Sequence, residues 1–268
     1  MVEEKLNILI TNDDGIYASG LWALHRALSP RHRVTVIAPD RERSAVGHGI
    51  TLHQPIRATQ IIANGGERGW AVSGTPADCV KLAVVELMGS RPDLVISGIN
   101  PGANVGVNLN YSGTVAAAKE AALYGLKAIS ISIQGFEGLC YDEAARFAVR
   151  LVPLIHSKAM PAGTFLNINM PNLPLDQTAG VSVSRQSVDL YDEHFEKRQD
   201  PRNRTYYWQG SESRPVYSHS DADGAVLERN HISITPVRCD MTDYNAMEAL
   251  KTWDFNNGFE QSDKEEKN

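Results

Sequence analysis

From Leu6 to Met170 the chain alternates short β-branched runs with stretches whose apolar residues recur at helical spacing, an order that few folds accept. Leu6-Asn7-Ile8-Leu9-Ile10-Thr11 reads as a strand, Asn12-Asp13-Asp14-Gly15 as a turn, and Leu21, Trp22, Leu24, His25 and Leu28 as the apolar face of a helix. Val34 to Ala38 is a second strand, stopped at Pro39, and completes one βαβ unit. After an irregular stretch, Trp70-Ala71-Val72-Ser73 leads through Gly74-Thr75-Pro76 into a helix carrying Val80, Leu82, Ala83, Val84 and Leu87, with Pro76 in its first turn. Leu94 to Ser97 is a strand, Gly98 to Gly113 a Gly/Asn-rich loop, and Val115 to Tyr124 an Ala-rich helix. Ala128 to Ser132 and Phe165 to Met170 are further strands around a helix from Tyr141 to Ile155. The alternation predicts an α/β fold with a doubly wound, mainly parallel sheet covered on both faces and joined by right-handed crossovers.

Beyond that core the character changes. Residues 185 to 217 mix Tyr191, Phe195, Tyr206, Tyr207, Trp208 and Tyr217 with both signs of charge, as a polar, aromatic arm would. The expected organisation is therefore a catalytic core over 1–184 and an aromatic, charged extension over 185–257, from which a late strand at 231–236 returns to the core. A charged tail at 258–268 is expected to be disordered. The net charge of −6 argues against a dedicated binder of nucleic-acid polymers or anionic membranes. No apolar run reaches membrane-spanning length, and Met1-Val2-Glu3-Glu4-Lys5 lacks the basic start of a signal peptide, so a soluble cytoplasmic protein is expected. Its 3 cysteines are widely spaced, which disfavours both a disulfide framework and a thiolate zinc site.

In open α/β sheets ligands bind beyond the carboxyl ends of the strands, so the residues after each strand belong together. Asn12-Asp13-Asp14-Gly15, the segment from Pro39 to Ser44, and Ser97-Gly98-Ile99-Asn100 bring carboxylates, a hydroxyl and an amide to that end. This all-oxygen set suits Mg²⁺ or Mn²⁺. Asn-Asp-Asp-Gly is also an ordinary turn sequence, and only its place after the first strand favours a ligand role. A second constellation runs through Gly98, Asn100, Gly102, Asn104 and Gly106 to Tyr111-Ser112-Gly113-Thr114-Val115 at a helix mouth. Accessible backbone N–H groups beside hydroxyls suit a phosphate, while simple capping by Ser112 or Thr114 is the competing account. Gly15 to Gly20 has the gap of a P-loop, but Leu21-Trp22 stands where Lys and Ser/Thr are needed. No strand precedes a G-x-G-x-x-G, Asp13-Asp14 lacks the D-x-D spacing of aspartyl-phosphate chemistry, and no G-x-S-x-G supplies a serine nucleophile. His48, between two glycines, is the candidate proton donor or else a surface loop histidine.

Taken in succession, these motifs resemble the SurE survival-protein family of metal-dependent nucleotidases. The resemblance runs through Ile8 to Gly15, Ala38-Pro39-Asp40 with Ser44, Ser73 to Val80, Ser97 to Asn100, Tyr111 to Val115, and Ile232-Ser233-Ile234-Thr235-Pro236. It implies a Rossmann-like core with a C-terminal hairpin exchanged between subunits of a homodimer or homotetramer. It also implies a phosphomonoesterase for nucleoside 5′- and 3′-monophosphates, and for short polyphosphate, using one divalent ion per subunit. Asp13, Asp14, Ser44 and Asn100 would hold that ion, with Asp13 central to catalysis, and Asn12, Asn104, Ser112, Gly113 and Thr114 would line the phosphate. Asn108, Ala116 and Lys119 depart from the family pattern and bear on substrate preference. Two other readings stay open: a non-catalytic metal- and nucleotide-binding regulatory module that uses the same loops, and an interaction protein acting through the aromatic arm.

Overall fold

The structure, a computed structural model, describes residues 5–63, 65–189, 193–211 and 216–255, so the tail expected at 258–268 and Tyr191 lie outside the described residues. The first strand, β1 (Asn7–Thr11), is apolar on both faces because helices cover both sides of it. Ile8 and Ile10 join the layer formed by α1 (Ser19–Leu28) and α4 (Tyr141–Ser157), whereas Leu9 joins the layer formed by α2 (Pro76–Leu82) and α3 (Gly113–Leu123). Each such fully buried Leu or Ile contributes roughly 1.5–3 kcal/mol relative to exposure. Side chains on opposite faces of one strand thus fasten two helical layers.

The remaining strands are β2 (Arg33–Pro39), β3 (Ala58–Ile62), β4 (Arg68–Val72), β5 (Leu94–Pro101), β6 (Ala128–Ile133), β7 (Thr164–Met170), β8 (Val181–Val183), β9 (Glu193–Gln199), β10 (Thr205–Ser211) and β11 (Ile232–Arg238). Eight of these join β1 in one nine-stranded sheet in the order β3-β4-β2-β1-β5-β6-β7-β11-β8. The run β4-β2-β1-β5-β6-β7 is parallel throughout, and β3 and β11 enter antiparallel to their neighbours β4 and β7. The chain leaves β1 toward β2 on one side and later returns to β5 on the other, which makes the carboxyl end of β1 the crevice of the sheet.

Three segments differ from the sequence reading. The stretch before Trp70, expected to be irregular, contains β3, a half-polar edge strand paired only with β4. β5 does not stop at Ser97 but continues to Pro101 through a register shift between Ser97 and Asn100. Glycine makes this passage possible: Gly98 sits at φ +140°, and a Cβ there would lie 2.4 Å from the Ile131 carbonyl oxygen. The late strand β11 runs past Pro236 to Arg238. Proline is tolerated there because β8 pairs with β11 only from Ile232 to Ile234, so no neighbour on that side needs the missing N–H.

The helices begin where the chain offers caps. Thr75 and Asp78 form a reciprocal capping box at α2, with Pro76 in the first turn, and Ser112 Oγ accepts from the Val115 N–H at α3. Two short helices the sequence reading did not anticipate, α5 (Asp223–Glu228) and α6 (Tyr244–Leu250), flank β11 in the chain. β9 and β10 pair only with each other, as a separate antiparallel hairpin whose Phe195, Tyr207 and Trp208 are exposed. No helix among the described residues is long and apolar enough to cross a membrane.

Candidate active site

Asn12-Asp13-Asp14-Gly15 is a turn, and the turn is what presents the acids. Asn12 Nδ2 donates to the Gly15 carbonyl at 3.0 Å and its Oδ1 accepts from the Gly15 N–H at 3.2 Å, closing the turn from inside. Gly15 is at φ +98°, with room for a Cβ limited by the Arg41 backbone 3.0 Å away. The Asn12 amide therefore shapes the loop.

Asp13 is buried and seated at the N-terminus of α3. The Thr114 hydroxyl donates to its Oδ1, and the backbone N–H groups of Gly113 and Thr114 also hydrogen-bond the carboxylate. Burial raises the Asp13 pKa, and these donors at a helix N-terminus oppose the rise. Gly113 is required by closeness: a Cβ there would stand 2.7 Å from Asp13 Cβ and 3.0 Å from Pro76 Cγ. The Asp13 carbonyl accepts from the Arg43 N–H at 2.7 Å, which ties the loop after β2 to the loop after β1.

Asp14 is perturbed in the same direction. Burial first, then the negative charges of Asp13 and Glu42, push its pKa up to about 7. Its Oδ2 is buried with no hydrogen-bond partner. A desolvated carboxylate oxygen with nothing to accept from, beside a second buried carboxylate, lacks a positive charge. Asn100 Nδ2 donates to the carbonyls of Pro101 at 3.0 Å and Gly102 at 2.7 Å, so its orientation is set and Oδ1 is the end left for a ligand. Ser44 Oγ donates to Glu42 Oε1 at 2.7 Å, which commits its proton and leaves its lone pairs. Among the described residues no three His, Cys, Asp or Glu side chains form a metal-sized group. The donor set is instead two carboxylates, a hydroxyl and an amide oxygen, which fits a hard divalent cation.

A cleft of about 240 Å³ opens at these strand ends, lined by Asp13, Ser44, Asn100, Asn104 and Ser112 together with Asn108, Tyr111 and Phe136. The structure thus brings Asp13, Ser44, Asn100, Asn104 and Ser112 to one surface. Asn12, Asp14, Gly113 and Thr114 do not line it. Asn12 closes the turn that carries Asp13, and Gly113 and Thr114 hydrogen-bond its carboxylate. His48 does not line the cleft either: its Nε2 lies 2.7 Å from Glu120 Oε2, and Lys81 Nζ donates to the other Glu120 oxygen at 3.1 Å. Although burial works the other way, those two partners hold the Glu120 carboxyl below its usual range.

Four supporting residues went unnoticed in the sequence. Asn169 Oδ1 accepts from the Asn104 N–H at 2.8 Å, Ser132 Oγ accepts from Asn104 Nδ2 at 2.9 Å, and the Asn167 and Asn169 amides donate to the Asn104 carbonyl at 2.8 and 3.0 Å. All three side chains are buried in β6 and β7. The signal was available, since polar residues at alternate positions of a strand covered on both faces need partners. The fourth, Asp223, is fully buried and accepts from the N–H groups of Gly106 at 2.8 Å, Gly224 at 2.9 Å and Ser187 at 3.2 Å. It clamps the cleft loop to the C-terminal segment, and Asp221-Ala222-Asp223-Gly224 in the sequence looks only like a surface turn.

The family model described as Survival protein SurE matches residues 8–193 of the chain. The chain is 54% identical over 248 residues to the 5′-nucleotidase SurE of Desulfatibacillum aliphaticivorans, spanning 92% of this chain and 98% of that one. It is 49% identical over 253 residues to the protein of the same name from Carboxydothermus hydrogenoformans, spanning 92% and 96%. Among solved structures, the SurE protein from Aquifex aeolicus matches with a TM-score of 0.81 at 36% identity, over 91% of this chain and 98% of that one.

Proposed function

The chain belongs to the SurE survival-protein family and is a 5′-nucleotidase, and from that premise we propose that its strand-end cleft hydrolyses nucleoside 5′- and 3′-monophosphates with one divalent cation, Mg²⁺ or Mn²⁺, per subunit. Short polyphosphate is a further substrate in this reading. The observation that carries it is the buried, unpartnered Asp14 Oδ2, which lies behind the cleft next to Asp13, the buried carboxylate that lines it. Asp13, Asp14, Ser44 and Asn100 would hold the ion, which when bound neutralises phosphoryl charge and acidifies the attacking water.

The chain's own residues supply position and hydrogen bonds. Ser112 Oγ accepts from the Val115 N–H, which leaves its hydrogen for a phosphoryl oxygen, and Asn104 Nδ2 keeps one hydrogen after donating to Ser132. Donors held in place before reaction stabilise charge that grows on the phosphoryl oxygens without reorganising. Asn12, Gly113 and Thr114 keep Asp13 from drifting under that load. The leaving nucleoside oxygen takes its proton from solvent, since His48 is committed to Glu120.

Phosphate release decides the reading. After chelation, the protein should release phosphate from nucleoside monophosphates only on addition of Mn²⁺ or Mg²⁺, with purine and pyrimidine substrates within roughly two orders of magnitude in kcat/KM. Binding without turnover under every metal would assign the chain to the regulatory alternative, and a base preference above about ten-thousand-fold would reveal a dedicated base-reading pocket.

The exposed aromatics of the β9–β10 hairpin support a role for the extension in self-association, because a two-stranded sheet with large apolar side chains in water is marginal alone. Light scattering at low concentration should give a homodimer or homotetramer, and a clean monomer would remove the exchanged arm from the account. The free thiols Cys79, Cys140 and Cys239 support a reducing, cytoplasmic setting.

A further inference from the structure

We propose that Phe136 and Tyr111 form a stacking rim for the nucleobase, so that the base is held by its π face at the mouth of the cleft; this rests on the nucleotidase reading above. Phe136 is 80% exposed and Tyr111 59% exposed, yet both line the same cleft as Asp13 and Asn100. Large rings left in water beside a polar site mark a place where something apolar and flat arrives.

Neither ring sits on a loose support. Phe136 follows β6 in a loop whose glycines, Gly135 at φ +97° and Gly138 at φ +59°, turn the chain on either side of it. The Gln134 N–H donates to the Met170 carbonyl at 2.8 Å and fixes the start of that loop. The ring itself lies against the Gly102 backbone: a Cβ on Gly102 would stand 2.8 Å from Phe136 Cε1 and 3.0 Å from Cζ. Tyr111 directly precedes the cap Ser112. Its N–H donates to the Asn108 carbonyl at 3.1 Å and its carbonyl accepts from the Gly47 N–H at 2.9 Å. Two rings are therefore presented from two different strand-end loops, each tied down by backbone hydrogen bonds.

Pockets for drug-sized ligands ordinarily offer roughly 300–1,000 Å³, whereas this cleft offers about 240 Å³. With the phosphate among Asp13, Asn104 and Ser112, the base has to extend to the rim, where the rings stand. Every base has a π face, so stacking there is tolerant of base identity.

The test compares a nucleotide with the same phosphate ester lacking its base. With AMP as substrate, Phe136→Ala and Tyr111→Ala should each raise KM, lowering kcat/KM by roughly five- to hundred-fold. With ribose 5-phosphate the loss should stay under about twofold, because the phosphate and sugar contacts are untouched. Phe136→Trp should restore AMP hydrolysis, and Phe136→Leu, apolar but not aromatic, should not. Equal losses on both substrates would assign the rings to cleft shape, and no loss on either would remove them from binding; each result overturns the proposal. Calorimetric titration with AMP and with ribose 5-phosphate reads the same difference without turnover, so failure of the catalytic reading and failure of stacking give separate signatures.

Discussion

Asp13→Asn should lower phosphate release from nucleoside monophosphates by roughly 10³-fold, the scale on which a single preorganised electrostatic contact acts at a phosphoryl or oxyanion centre. The substitution is nearly isosteric, and the Thr114 hydroxyl still finds an acceptor at Oδ1. What disappears is one of the two carboxylate charges available to a cation. Metal titration should show weaker binding, while the metal-free variant should melt no lower than the metal-free wild type, because Asp14 loses the repulsion of its neighbour. Most activity surviving at saturating Mn²⁺ or Mg²⁺ would sink the assignment of Asp13. Ser44→Ala should cost less, since a neutral hydroxyl contributes less to a cation than a carboxylate does.

The metal-free protein should lose stability as pH rises from about 4 to about 7, the window set by Asp14, and a divalent ion should restore it. The folded pKa of Asp14 lies near 7, above its ordinary value of 3.8. Between those values the folded chain keeps a proton that the unfolded chain has released, so rising pH favours unfolding. Below 3.8 both states are protonated and the penalty vanishes, whereas above 7 both are ionised and it is complete. The full difference corresponds to ~4 kcal/mol, an upper bound on what one site contributes. A ligand present at about 100 times its Kd returns ~2.7 kcal/mol. Asp13 and Asp223, raised by burial, act in the same direction, and Asp78 and Glu120, held low by their hydrogen bonds, act in the opposite one. Melting curves against pH for wild type and Asp14→Asn, each in chelator and in Mn²⁺, isolate the Asp14 contribution. Identical pH slopes in the two chelated proteins would show that Asp14 is not the group responsible.

Much of this site was legible from residue order. A strand buried on both faces must end somewhere, and in a parallel sheet all such ends lie on one side, so Asp13, Ser44 and Asn100 could be grouped without coordinates. The turn reading of Asn12 to Gly15 leaves room for a ligand role, since the amide of Asn12 closes the turn that carries the acids. What Ser112-Gly113-Thr114 faces was legible only in part. Ser112 reaches the cleft, but the helix N-terminus behind it faces Asp13. A helix N-terminus attracts any anion, and the sequence does not say which anion is nearest.

The hairpin shows the same division from the other side. Its aromatic and charged composition marked an arm, but β9 and β10 emerged only from the pairing of residues 193–199 with 205–211, because neither segment alternates cleanly enough to announce a strand.

Local propensity and apolar periodicity determined the strands and helices of the parallel core and the side of the sheet on which the candidate site lies, since each depends on residues within a few positions of one another. Only the tertiary structure decided that Thr114 bonds Asp13 across 101 residues, that Asp223 anchors Gly106 across 117, and that Phe136 lies on Gly102 at the rim of the cleft. Those contacts answer a different requirement, that every buried polar group and every close approach find its partner wherever packing happens to bring one.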